Sequence, residues 1–208
     1  MEGVIAAWYA QVTAKSLGEF RDDASRVAAR LHTGDRVLEI APGPGFLAIE
    51  LAKLGPYRIS GVDISHSFVR IATENAARAG VAVSFQQGDA AALPLATDTI
   101  DFIICRAAFK NFSDPLGAIR EMHRVLRPGG TVLIIDMRND VSDEEISGQV
   151  KKLRVGAINA FITKIIFKHI LKKRAYSGAD FARMLAATPF GGGEIAELPF
   201  GLEVRLAK

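Results

Sequence analysis

The sequence predicts an α/β protein built on a doubly wound, mostly parallel sheet with helices on both faces. Three observations support this class. Short apolar runs alternate with helical patterns, a glycine-containing turn follows the first complete run, and the last two runs are too close together to be joined by a crossover. Parallel strands need long connections, so the final pair must form an antiparallel hairpin. Together these runs predict a seven-stranded sheet.

Five apolar runs are predicted to form the parallel part of the sheet. Each has the length and composition of a strand and is followed by a turn or a helical pattern. In chain order they are Arg36 to Ile40, Arg58 to Asp63, Ala82 to Gln86, Ile100 to Arg106 and Thr131 to Asp136.

The helices between these strands have recognisable ends. Glycine ends two of them, and an acid followed by proline begins the third, as capping preferences require. In chain order they are Phe46 to Leu54 before Gly55, Ser65 to Gly80, and Pro115 to Leu126 behind an Asp114 cap.

The two ends of the chain depart from this alternation. Met1 to Leu31 is predicted to form one or two helices outside the sheet. Ser177 opens a last helix, and Glu194 to Leu198 and Leu202 to Leu206 form the predicted hairpin. We therefore expect a single domain with four parts: an N-terminal helical cap (1–31), a core (32–137), a helical insertion (138–176) and a last helix with the hairpin (177–208).

Composition excludes several functional classes. The formal net charge is +3, and the cationic residues are scattered except over 164–174, so a nucleic-acid partner is not expected. The single cysteine, Cys105, cannot form an internal disulfide, and the N-terminus lacks the features of a secretory signal. No apolar run reaches the ~18 residues that span a bilayer. We expect a cytoplasmic protein.

In an open α/β sheet, a ligand binds beyond the carboxyl ends of the strands, where the strand order reverses. The first strand ends in Glu39 and the turn from Ala41 to Gly45. The next strands end at Asp63, at Asp89 and at Arg106. Glycine lets the backbone approach a ligand closely, and a strand-end carboxylate can bind ribose hydroxyls or an amino group. These positions predict a nucleotide-cofactor site.

Two cofactors compete for this site. Gly43 to Ala48 satisfies the G-x-G-x-x-G/A dinucleotide fingerprint, and Asp63 lies at a suitable distance for a ribose contact, so a nicotinamide-dependent oxidoreductase is one hypothesis. However, the carboxylate of Glu39 beside the turn would repel a pyrophosphate and attract the ammonium of a methionine group. The charge expected for the ligand therefore favours S-adenosylmethionine.

At this point the sequence resembles the class I S-adenosylmethionine-dependent methyltransferases, and among them the small-molecule type of the ubiquinone and menaquinone enzymes. The resemblance spans about Leu31 to Met137 and implies a Rossmann-like fold. The matching segments are Val37 to Gly45, Gly61 to Ser65, Gly88 to Ala90 with Leu93 and Pro94, Asp98 to Phe102, and Glu121 to Gly130.

The resemblance implies a role for each matching position. Glu39 would support the methionine part of the cofactor, Asp63 would hold the ribose hydroxyls, and Asp89 would accept from the adenine amino group. The turn with Ala41, Pro42, Gly43 and Gly45 would pack against the methionine part. Ile64 would pack on one adenine face, and Ala90 would lie beside the ring.

Two features of the turn depart from the family pattern E-x-G-x-G-x-G. Ala41 replaces the first glycine, and Pro42 and Pro44 remove backbone N–H donors. A methionine carboxylate needs fewer donors than a dinucleotide phosphate, and the side chain of Arg106 is a candidate to hold it. Ala41 also keeps open a third hypothesis, a non-catalytic cofactor-binding or partner protein of this fold.

The implied reaction is in-line transfer of the sulfonium methyl group to oxygen, carbon or nitrogen of a small, partly apolar molecule, leaving S-adenosylhomocysteine. A base is needed only for a nucleophile that is protonated at neutral pH. Lys110 is the candidate, because it lies after the fourth strand where relatives carry histidines. No metal ligand set is predicted.

The helix predicted over Val155 to Arg174 is apolar nearly all round and so needs cover on two sides. Relatives place a substrate lid at this point, and Trp8 and Tyr9 would roof the same chamber. The alternatives are core packing, a homodimer face, or peripheral contact with a membrane through the cations at its end. A monomer and a homodimer are both compatible with the sequence.

Overall fold

The computed structural model describes residues 1–152 and 163–208. In this part of the chain the strands are β1 (Arg36–Ile40), β2 (Arg58–Asp63), β3 (Val83–Gln87), β4 (Ile100–Arg106), β5 (Leu126–Met137), β6 (Glu194–Glu197) and β7 (Gly201–Ala207). They form one seven-stranded sheet in the order β3-β2-β1-β4-β5-β7-β6. The first five are parallel, while β7 is antiparallel to both β5 and β6. The predicted fold class is confirmed.

Helices flank both faces of this sheet. They are α1 (Gly3–Thr13), α2 (Leu17–Ala28), α3 (Phe46–Ala52), α4 (His66–Ala79), α5 (Pro115–Val125), α6 (Asp143–Lys152), α7 (163–174) and α8 (Gly178–Ala186). The predicted caps are present: the Ser65 and Asp114 side chains accept from backbone N–H groups of α4 and α5, and Ser177 forms a capping box with Asp180. Local capping signals therefore place these helix starts correctly.

Strand β5 is longer than the sequence predicts. It begins at Leu126 instead of Thr131 and includes the Arg-Pro-Gly-Gly run, which has the composition of a turn. Leu126 pairs with Ile100 of β4, and Gly129 and Gly130 exchange backbone hydrogen bonds with Lys208. Bonds to both neighbours fix this run in the sheet, although Gly129 has a left-handed φ of 80° and the pairing with β4 shifts register between Ile100 and Phe102. A local turn signal cannot report such long-range bonds.

The sheet has a separate apolar core on each face. On one face, α5 and α8 cover a cluster that includes Leu38, Ile103 and Met122. On the other face, α2 and α3 pack against residues such as Val37 and Phe102. The N-terminal residues thus form two helices, as predicted, and α2 is part of this second layer.

The first half of α1 and the amino end of α4 pack together at one side of the molecule, through Ala6, Phe68 and Ile71. A smaller cluster joins Met137 at the end of β5 with Val141 and Ile146, and α7 packs against it. The predicted helix 155–174 lies partly outside the described residues, so only 163–174 can be placed. None of the helices within 1–152 and 163–208 has the length and apolarity needed to cross a membrane.

Strand order fixes where a ligand site belongs. The connection from β1 leads to β2 on one side of it, and the connection from β3 returns to β4 on the other side. The crossovers diverge between β1 and β4, which opens a crevice at the carboxyl ends of these strands.

Candidate functional site

The turn after β1 has a tightly specified backbone. Ala41, Gly43 and Gly45 have φ values of 56°, 53° and 79°, all in the left-handed region. At Gly45, a Cβ atom would lie 2.8 Å from the Phe85 ring and 2.9 Å from the Ala72 side chain. At Gly43 it would have no neighbour within 4 Å. Gly45 is therefore needed for packing, while the backbone at Gly43 is open to a ligand.

Glu39 lies at the buried end of β1. Its Oε2 accepts a hydrogen bond of 3.0 Å from the Ala48 N–H of α3. Burial raises the pKa of the Glu39 carboxyl to about 8, and the Ala48 N–H and the Arg106 guanidinium oppose that rise. A carboxyl with this pKa is mostly protonated at neutral pH and ionises readily when a cation comes near.

Asp63 ends β2 and bonds to the same turn. Its Oδ2 accepts from the Gly43 N–H at 3.0 Å, and its Oδ1 accepts from the Ser65 N–H at 2.9 Å. Burial raises the pKa of Asp63, and these two N–H groups counteract it. The next residue, Ile64, is 63% exposed and presents an apolar surface beside the carboxylate.

The loop after β3 carries Asp89 and Ala90. Because Gln87 pairs with Asp63 in the sheet, this loop begins beside the end of β2. Asp89 is exposed, and its Oδ1 accepts from the Ala91 N–H at 2.9 Å. Ala90 is half-buried against the core. The structure thus places both residues at the predicted edge.

Arg106, at the end of β4, points to α2. Its Nε donates to Asp23 at 2.5 Å, a second nitrogen donates to Glu19 at 3.3 Å, and the guanidinium lies 4.4 Å from the centre of the Phe20 ring. The ion pairs hold α2 beside the site and occupy donors that were predicted to bind a methionine carboxylate.

Lys110 is buried in an ion pair. Its Nζ donates to Asp136 at 2.7 Å and to the Ala107 carbonyl at 2.6 Å, and its backbone N–H donates to the other Asp136 oxygen at 3.0 Å. Ala107 has a φ of 56° and donates to the Ile135 carbonyl of β5. Lys110 therefore links the loop after β4 to the end of β5, and its role as a base stays a prediction.

Sequence reasoning missed several residues of this region. Asp136 follows the rule used for the other strands, a carboxylate at the carboxyl end, and extending that rule to β5 would have found it. Asn75 on α4 donates to the Pro44 carbonyl at 2.8 Å and fixes the turn. The contacts of Asp23 and Glu19 with Arg106 had no signal in the sequence, because they depend on where α2 packs.

The arrangement favours a cationic, hydroxyl-bearing ligand. Two buried acids, Glu39 and Asp63, flank one turn, and the prolines at 42 and 44 leave it few N–H donors. A phosphate group would find few N–H donors in this turn, and it would not supply the positive charge that favours ionisation of these acids. Within residues 1–152 and 163–208, no group of three or more histidine, cysteine or acidic side chains is placed to hold a metal ion.

Comparison with protein families finds a match to the methyltransferase domain over residues 31–183. The demethylmenaquinone methyltransferase of Deinococcus radiodurans is 34% identical over 114 residues, which are 54% of this chain and 47% of the relative. The ubiquinone/menaquinone biosynthesis C-methyltransferase of Bdellovibrio bacteriovorus is 33% identical over 138 residues, 66% of this chain and 54% of the relative. The chain spans about half the length of these curated relatives.

Among solved structures, the chain is similar to an S-adenosylmethionine-dependent methyltransferase from Aquifex aeolicus. The TM-score is 0.69, the identity is 22%, and the match covers 88% of each chain. At this identity, the comparison shows that the two proteins share a fold.

Proposed function

Because the chain belongs to the methyltransferase domain family, we propose that it transfers a methyl group from S-adenosylmethionine to a small, partly apolar acceptor. The observation that carries this proposal is the pair of buried acids: Asp63 is bonded to the turn after β1, and Glu39 to the helix that follows it. They suit an ammonium group, beside which Glu39 would ionise, and ribose hydroxyls, while the prolines of the turn leave few N–H donors for the pyrophosphate of a dinucleotide.

The carboxylates are arranged to bind and to orient. Each oxygen of Asp63 accepts one backbone N–H and keeps lone pairs for the ribose hydroxyls. Glu39 accepts one N–H and would ionise beside the ammonium of the methionine group. The open backbone at Gly43, with Ala41, Pro42 and Gly45 in the same turn, would lie against that group.

Beside the ribose, Ile64 would pack on one face of the adenine, since it is apolar and exposed next to Asp63. Ala90 would lie along the ring, and the exposed Asp89 would accept from the adenine amino group. The first two contacts bury apolar surface, and the third gives specificity for adenine.

We assign Arg106 an indirect role. Its guanidinium is held by Asp23 and Glu19, so it acts on the site by keeping α2 in place and by opposing the raised pKa of Glu39. A direct bond to the methionine carboxylate would require it to give up an ion pair.

The cofactor supplies a methyl group that is already activated by the sulfonium. The chain's tasks are therefore to align the acceptor and to exclude water. Lys110 is bonded to Asp136 and to Ala107, so we propose that it shapes the floor of the acceptor site and does not remove a proton. The loop from Ala107 to Asn111 follows β4 and would lie nearest the reacting carbon.

The acceptor class is supported by the names of the relatives, which act in quinone biosynthesis, and by exposed apolar side chains. Trp8 on α1 is 62% exposed, and Ile165 and Ile166 on α7 are also exposed. We propose that they help to cover an apolar ring during transfer.

Calorimetry tests the cofactor assignment. S-adenosylhomocysteine should bind and nicotinamide dinucleotides should not. Asp63→Ala should weaken binding by about 2 kcal/mol or more, because charge-assisted hydrogen bonds to the ribose are lost. Asp22→Ala is the matched control, since Asp22 is an exposed acid on α2.

Unchanged affinity in folded Asp63→Ala would remove Asp63 from the site. Tight binding of a dinucleotide without S-adenosylhomocysteine binding would overturn the proposed cofactor. Turnover of methyl-labelled S-adenosylmethionine with quinol and phenol acceptors tests the reaction, and binding without turnover across that panel would support the non-catalytic alternative.

A further inference from the structure

A groove of about 770 Å³ lies at the opposite edge of the sheet from the cofactor site, at the amino ends of β1, β2 and β3. We propose that it binds a small molecule that carries a phosphate group on an apolar body. The inference is independent of the methyltransferase assignment, because it rests on different residues.

The groove exists because a layer of the fold is missing there. The connection from β3 to β4, residues 88–99, contains no helix, so no helix covers the α5 face of the sheet at the amino ends of β2 and β3. Along β1 this face is apolar and buried, with Leu38 and Ile40. On the neighbouring strands it carries Arg58, Ser60 and Ser84. Polar side chains in these positions do not suit an apolar helix as the occupant.

Two arginines give the groove its charge. Arg36 and Arg58 are the first residues of β1 and β2 and are partners in the parallel register, so their Cα atoms are about 4.8 Å apart. Both are exposed, and neither guanidinium forms a hydrogen bond or an ion pair with another residue that the structure describes.

No acid lines the groove among the described residues. The neighbouring Asp101 is already paired with Arg127 and accepts the Arg36 backbone N–H at 2.7 Å. Asp35 accepts the His32 N–H at 2.8 Å. Two adjacent guanidinium groups that form no ion pair with a residue of 1–152 or 163–208 suit a phosphate, whose oxygens accept bidentate bonds from arginine.

The rest of the wall indicates what the phosphate is attached to. Ser60 and Ser84 carry hydroxyl groups in the lining, while Pro94, Leu95 and Ile100 form an apolar side. The volume lies in the range of small-molecule sites. A nucleic acid would need a longer stripe of cations than these two side chains provide.

The groove and the cofactor site should act independently. They lie at opposite ends of β1, which spans about 13 Å from Arg36 to Ile40. Occupation of one site therefore brings no charge into contact with the other.

Binding of inorganic pyrophosphate and of a fluorescent adenosine diphosphate, measured at low ionic strength, tests the proposal. Both probes should bind, and the nucleotide should bind more tightly because of its apolar body. Arg36→Gln and Arg58→Gln should each weaken binding about tenfold or more, since each removes a charge-assisted contact. Arg120→Gln is the matched control, because Arg120 is an exposed arginine on α5 outside the groove.

Affinity for S-adenosylhomocysteine should be the same in all these variants. The proposal is overturned if neither probe binds, if the arginine variants bind like the control, or if saturating S-adenosylhomocysteine displaces the nucleotide, which would place it in the cofactor site. Binding of an acidic peptide or a DNA duplex without binding of either probe would also overturn it in favour of a macromolecular partner.

Discussion

At the level of single residues, Ala41 shows how the turn after β1 departs from the family pattern without changing shape. Its φ of 56° lies in the left-handed region that glycine adopts without strain. A side chain with a Cβ pays about 1 kcal/mol or more for this conformation. The turn therefore keeps its geometry at Ala41 at a cost in stability.

Ala41→Gly should raise the free energy of unfolding by about 0.5 to 1 kcal/mol, because it relieves that strain. Urea denaturation measures this change. The control is Ala77→Gly on the exposed face of α4, which should lower stability by about 1 kcal/mol. A loss at both positions would show that Ala41 is not strained.

At the level of elements, the loop after β4 is fastened to the end of β5 by Lys110 and Asp136. The Nζ of Lys110 and two backbone N–H groups, of Lys110 and Met137, all donate to the Asp136 carboxylate. Both side chains are buried, so each charge depends on the other for compensation. This pair sets the shape of the floor where the acceptor is proposed to bind.

Lys110→Met should destabilise the protein by about 3 kcal/mol, because it leaves the Asp136 carboxylate buried without a counter-charge. Adding Asp136→Asn should recover part of that loss, since the amide is neutral and its oxygen still accepts. Chemical denaturation of the three proteins measures these changes.

Arg70→Met provides the comparison, because it removes an exposed ion pair with Glu74 and should cost less than about 1 kcal/mol. Methyl transfer that persists in a folded Lys110→Met variant would agree with an anchoring role. If the Lys110→Met variant loses turnover but keeps full stability and cofactor affinity, Lys110 acts as a base.

At the level of the whole molecule, the buried acids of the proposed cofactor site link folding to pH. The pKa of Glu39 rises from 4.5 in the unfolded chain to about 8 in the fold, and the pKa of Asp63 also rises. Between pH 4.5 and about 8, the Glu39 carboxyl has lost its proton in the unfolded chain and keeps it in the folded chain. The contribution of Glu39 to the free energy of unfolding is therefore complete below pH 4.5 and is lost as the pH rises through about 8.

Glu39→Gln should therefore reduce the fall in stability between pH 5 and pH 8, while its amide oxygen still accepts the Ala48 N–H. Urea midpoints are measured for the variant and the parent chain at several pH values. Subtracting one set from the other removes the effect of the titrating groups that both proteins share. An unchanged slope would mean that Glu39 is ionised in the fold. S-adenosylmethionine should bind the parent chain more tightly as pH rises, because the ionised carboxylate pairs with its ammonium.

The sequence by itself determined the sheet, its hairpin and the starts of α4, α5 and α8. The signals are local: apolar periodicity, glycine turns, and helix caps at Ser65, Asp114 and Ser177. They can therefore be recognised without knowledge of the rest of the fold. The positions of Glu39 and Asp63 could also be predicted from the sequence, because the carboxyl ends of parallel strands meet at one edge of the sheet.

Only the tertiary structure decided which partners the other charged residues have. Lys110 meets Asp136 across 26 positions of sequence, and Arg106 meets Asp23 across 83. The pairing that extends β5 to Leu126 and the groove beside Arg36 also depend on segments far apart in the chain. Such contacts follow from packing, whose energy is shared among distant residues, and no local pattern records them.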